Sequence, residues 1–151
     1  MTSDIPPLLP PGDMPAIHTQ ADLDRHWRAL MGPLGFSQPL LWMMFISPDG
    51  RCDGPLTQIE EIPLQPDEFL LTNLLGICAQ IIDESLTSGT RVAFLRSRPG
   101  SGTVNAEDIA WARGVTEAAR AAGVPCEPFH LATDERVTVV AYDDLTRRSA
   151  S

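Results

Sequence analysis

The chain has 151 residues, 43% of them hydrophobic, and a formal net charge of -9. These values fit one globular domain with enough apolar side chain for a core. The negative balance argues against nucleic acid or an anionic membrane surface as a partner, because both need a basic face. All 11 basic residues are arginine, which removes Schiff-base chemistry and a P-loop lysine.

Residues 1–18 carry five prolines in "MTSDIPPLLPPGDMPAI" and read as an extended arm, either disordered or laid on a surface, where Ile5, Leu8 and Leu9 could dock. Thr19 is the predicted N-cap of a first helix, with Asp22 three residues on. Leu23, Trp27, Leu30, Met31 and Leu34 follow at helical spacing. "LLWMMFI", Leu40 to Ile46, is unbroken apolar chain of strand length. It predicts a strand buried on both faces, and it is too short to span a membrane. "SPDG" then predicts a turn into a second hairpin strand, continued by "TQIEEI", Thr57 to Ile62.

Pro66 and Asp67 open a predicted helix to about Leu86. Its apolar stripe is read as Phe69, Leu70, Leu74, Ile77, Cys78, Ile81 and Ile82. "RVAFL" is a third strand. Asn105 caps a helix over Ala106 to Ala122, Asp108 stands at the capping-box position, and Gly123 and Pro125 stop it. "CEPFHLA" and "RVTVVAY" complete the set. The order αββαβαββ predicts an α/β fold, a single mixed sheet flanked by helices, over residues 19–142, with a C-terminal tail at 143–151.

Several residue types bear chemistry. Cys52, Cys78 and Cys126 lie far apart, with no CxxC, so no structural zinc cluster is expected. An odd count without a signal-peptide pattern predicts reduced thiols and a cytoplasmic location. His18 and His26 read as surface residues, and His130 as a hydrogen-bonded structural histidine. Trp27, Trp42 and Trp111 are expected in the core.

The segment "RSRPGSGT" joins a strand to a helix. Its glycines and the helix N-terminus suit a small anion, and two arginines add forked donors. Glu107 and Asp108 oppose this. Arg96, Arg98, Ser101, Thr103, Asn105 and Asp108 are the candidate anion or partner site.

The order of elements, and the wording of "TQADLDRHWRAL", "LLWMMFISPDGRC" and "NAEDIAWARGVTEAARAAGVPCEPFHL", resembles the RadC-like branch of the JAB/MPN metalloprotease family. That family has a strand ending in H-x-H-P-S-G-D and a following S-x-x-D. Here Arg96 and Arg98 stand at the two zinc histidines, and Pro99 follows as in the motif. The loop is one residue shorter, Asn105 falls on the motif serine, and Asp108 matches the aspartate ligand. The family's catalytic glutamate belongs near Asp53 and Gly54, and no residue of this sequence is assigned to it.

The resemblance therefore implies a degenerate member with no metal, no cofactor and no catalytic residues. Its expected role is a protein-interaction or self-association module. The alternative is an atypical hydrolase, isopeptidase or small-anion binder on the Arg96–Thr103 loop. "PLGFSQPLLWMMFI" and "AARAAGV" also resemble an uncharacterised family from high-GC bacteria, which adds nothing on function.

Overall fold

The computed structural model describes residues 6–10, 13–52 and 56–140. The C-terminal tail at 143–151, the end of the last predicted strand, and Asp53 and Gly54 lie outside the described residues. Three helices and five strands run α1 (Gln20–Met31), β1 (Leu40–Ile46), β2 (Thr57–Ile59), α2 (Glu68–Ser85), β3 (Arg91–Ser97), α3 (Ala106–Ala122), β4 (His130–Ala132) and β5 (Val137–Val139). The strands make one mixed sheet in the order β2-β1-β3-β4-β5, with β3 at its centre. β1 pairs antiparallel with β2 and β3, β3 parallel with β4, and β4 antiparallel with β5. Longer strands predicted at both hairpins are trimmed to three residues. β2 stops before Glu61, whose φ of 57° lies in the left-handed region.

Alternation along β1 and β3 sorts their side chains into two layers. Leu41, Met43, Phe45, Val92 and Phe94 meet Leu71, Leu75, Cys78, Trp111 and Val115 of α2 and α3. Met44, Ile46, Ala93 and Leu95 meet Leu23, Trp27 and Met31 of α1. The sheet is therefore covered on both faces, and the unbroken apolar runs of β1 and β3 follow from that.

Helix ends lie where the caps predict. Thr19 Oγ1 accepts from the Asp22 N–H at 3.1 Å, and Asp22 Oδ2 accepts from the Thr19 N–H at 3.0 Å. Asn105 and Asp108 make the same reciprocal box on α3, and Gly123 closes that helix at φ 72°. In the SPDG turn the Gly50 N–H donates to Ser47 O at 2.8 Å. Gly50 has φ +88°, and a Cβ there would come within 2.9 Å of the Ile17 backbone, so only glycine fits.

Four expectations are corrected. The stripe on α2 is shifted at two positions: Leu70, Leu74, Cys78, Ile81 and Ile82 pack in or against the core and Leu71 and Leu75 join them, whereas Phe69 is 72% and Ile77 53% exposed. The end of the arm is part of the core, since Met14 and Ile17 are buried and the Ile17 N–H donates to Gly50 O at 2.7 Å. His26 is buried rather than on the surface, and Trp42 is only half-buried, its indole N–H donating to Ser97 Oγ at 2.9 Å.

Candidate functional site

β3 and α3 bring the candidate residues together on the α2/α3 side of the sheet. Arg96 follows Val92 and Phe94 on the inward face of β3 and is 1% exposed. Asp108, in the first turn of α3, is 0% exposed. Arg96 Nη1 donates to Asp108 Oδ1. Arg98 Nε donates to the same carboxylate at 2.9 and 3.2 Å, and its Nη2 donates to Oδ2 at 2.7 Å. Asp108 Oδ2 also accepts from the Asn105 N–H at 2.9 Å. One carboxylate thus caps its own helix and binds two guanidiniums.

Arg98 also builds the loop. Its Nη1 donates to Pro99 O at 3.0 Å and Ser101 O at 3.3 Å, and its Nη2 donates to Thr103 O at 2.9 Å. The fork of a guanidinium reaches carboxylate and carbonyls at once, which an ammonium cannot do. Hydrogen bonding to Asp108 raises the Arg98 pKa above its ordinary value against the opposing effect of burial. For Arg96 burial dominates and lowers the pKa, with Asp108 working against it. Arg96 Nε is buried with no hydrogen-bond partner among the described residues.

The two arginines therefore do not present their guanidiniums to solvent, as a small-anion site would require. The backbone donors of the loop are also engaged. The Gly100 N–H donates to Asp134 Oδ2 at 2.9 Å, and the Gly102 N–H to Glu135 Oε1 at 2.6 Å. Asp134 Oδ1 accepts from the Phe36 N–H at 3.0 Å, so this carboxylate ties three loops together. The Gly100 and Phe36 amides hold its pKa below the usual aspartate range. The carboxylates on these loop amides come from the β4–β5 turn of the same chain. Ser101 and Thr103 remain exposed.

A zinc ion of the kind the JAB/MPN resemblance implies does not fit these residues. Guanidiniums do not ligate cations, and the Asp108 oxygens already accept from both arginines and Asn105. Among the described residues no group of three His, Cys, Asp or Glu side chains is placed to hold a metal ion.

Two histidine contacts lie on the opposite, α1 side. His130 is buried on β4, with Nε2 against Asp24 Oδ1 and Nδ1 3.1 Å from Pro128 O. That is the structural, hydrogen-bonded role expected for it. His26 Nε2 stands 3.3 Å from Cys52 Sγ. Sequence reasoning missed this pair, since 26 residues separate its members and no local motif links them.

No protein-family model matches the chain, and neither the curated proteins nor the solved structures contain a significant match to it. Among the described residues no helix is long and apolar enough to cross a membrane.

Proposed function

We propose that the chain is a non-catalytic, JAB/MPN-like interaction domain whose contact surface is the outer side of α2. The observation that carries the reading is Asp108 held by Arg96 and Arg98. The resemblance puts two zinc ligands at those arginine positions, and here two fixed positive charges stand there instead. On this reading the strand, loop and helix carry guanidiniums at the positions where the family's histidines would hold the ion that activates a water. The alternative reading, a small-anion site or hydrolase on the Arg96–Thr103 loop, loses its donors to Asp108, Asp134 and Glu135.

The outer side of α2 supports the interaction role. Phe69 and Ile77 are exposed beside uncharged Thr72, Asn73, Gly76 and Gln80. On a chain of net charge -9 this is a strip that another protein surface can approach without charge repulsion. A second copy related by a two-fold axis is the first occupant to test, being the commonest form of assembly.

Two measurements check the reading. After dialysis the protein is expected to hold no zinc by elemental analysis. About one zinc per chain, lost on Asp108→Ala, overturns the non-catalytic assignment. Light scattering at high micromolar concentration is expected to give a dimer that Phe69→Asp with Ile77→Asp converts to a monomer of unchanged melting temperature. A parent protein that stays monomeric removes self-association through α2.

A further inference from the structure

The α1 side of the sheet brings three soft donor atoms together, away from Asp108. Cys52 follows the SPDG turn, and an isolated bridge to Ile46 pins it beside the end of β1. Met44, two residues before Ile46, points into the same α1-side layer. His26 reaches them from the buried side of α1. Cys52 Sγ lies 3.3 Å from His26 Nε2 and 3.8 Å from Met44 Sδ. We propose that Cys52, His26 and Met44 form a binding site for a soft monovalent metal ion, Cu(I).

The donor set makes the choice of ion. Thiolate, thioether and imidazole together select Cu(I), whereas a thioether contributes little to Zn²⁺, which also wants four ligands. Metal bonds of about 2.3 Å to sulfur and 2.0 Å to nitrogen put the donors of a trigonal ion roughly 3.7–4 Å apart. The sulfur–sulfur distance already meets that, and the sulfur–nitrogen pair opens only slightly.

Charge favours a monovalent ion. A thiolate with Cu(I) is neutral overall, while a divalent ion leaves an uncompensated charge in an apolar layer. On binding, the Cys52 S–H proton leaves to solvent, an S–Cu bond forms, and His26 and Met44 donate lone pairs. Copper enters as Cu(I) and no electron moves.

Cys52 is half-buried and lines an open depression of about 410 Å³ with Ser47, Pro48, Asp49, Arg51 and Thr87, while His26 and Met44 lie buried behind it. Cys78 provides a contrast within the same chain. Its Sγ lies 3.3 Å from Met43 Sδ, but it is fully buried. His26 Nδ1 is buried without a hydrogen-bond partner among the described residues. The ring is therefore held by packing, not by the second hydrogen bond that orients most metal-binding histidines.

The test is an anaerobic titration of the full chain with Cu(I) against a chromophoric Cu(I) chelator, followed by X-ray absorption of the loaded protein. One retained Cu(I) per chain with two sulfur neighbours and one nitrogen is expected. Cys52→Ser is expected to lose more than the 10–100-fold in affinity that even indirect support of a metal contributes, roughly speaking. Met44→Leu conserves core volume and is expected to melt like the parent yet bind more weakly and show one sulfur neighbour. Cys78→Ser is expected to bind as the parent does. Loss of all copper to the chelator overturns the site, as does retention by Cys52→Ser, or an unchanged affinity in Met44→Leu. None of these outcomes depends on α2 or on Asp108.

Discussion

Asp108→Ala is expected to destabilise the fold by about 3–5 kcal/mol, the cost of removing one partner from a buried ion pair. The substitution strands two guanidiniums. Arg96 is buried beside the first turn of α3 and has Asp108 as the anion in its ion pair, so it is left as an uncompensated charge. Arg98 keeps its carbonyls on Pro99, Ser101 and Thr103 and loses less. Half of the α3 capping box is lost as well, because Asp108 Oδ2 is the acceptor for the Asn105 N–H, while Asn105 Oδ1 keeps its bond from the backbone N–H of residue 108. Asn105→Ala removes the other half of the capping box, the Oδ1 that accepts from the Asp108 N–H, and is expected to cost about 1 kcal/mol while leaving the arginine contacts in place. Urea melts of the two variants separate the effects. If both lose the same amount, the arginine contacts contribute nothing and the cluster is a cap alone.

That contrast also marks what the sequence made legible. Helix ends were readable because their signals are local: Thr19 with Asp22, Asn105 with Asp108, and Gly123 before Pro125. β1 was readable because burial on both faces leaves an unbroken apolar run. The fate of Arg96 and Arg98 was not readable in the same way. Their partner is 10 and 12 residues on, across a strand-to-helix crossing, and its first-turn position already has a complete local explanation. Asp134 and Glu135 occupy the loop's amides from still further away. The edges of the α2 stripe, Phe69 and Ile77, were misplaced for a different reason. Apolar residues surround much of that helix, so periodicity allowed two stripes, and only the packing of Leu71, Leu75 and Cys78 against β1, β3 and α3 chooses between them. Met14 and Ile17 were hidden by the prolines around them, although each is apolar and needed a place. His26 with Cys52 had no local signal at all.

Trp111→Ala is expected to cost about 3–5 kcal/mol, the usual penalty for emptying a large buried site. Trp111 is fully buried on α3, among the core residues that join α2, α3 and the sheet. Its loss leaves a void that two helices and a strand would all have to close. Interiors packed like organic crystals relax only partly into such a space. The indole also has a polar role. Its Nε1–H is shared between Pro63 O at 3.2 Å and Leu64 O at 3.1 Å, in the segment that leads from β2 to α2. Pro63, Leu64 and Gln65 are all exposed, so this hydrogen bond is a main tether of the segment to the core. Trp111→Phe keeps most of the apolar volume and removes the donor. The freed carbonyls can turn to water, so its cost is expected near the net value of a hydrogen bond, about 0.5–1.5 kcal/mol. Its sharper signature is local: faster amide exchange and easier proteolysis around Leu64, with the sheet amides unchanged. Chemical denaturation gives the first comparison and native-state exchange the second. If Trp111→Phe costs as much as Trp111→Ala, the shape of the indole matters more than either its volume or its donor. If exchange near Leu64 does not change, the Trp111 hydrogen bond does not hold the segment that starts α2.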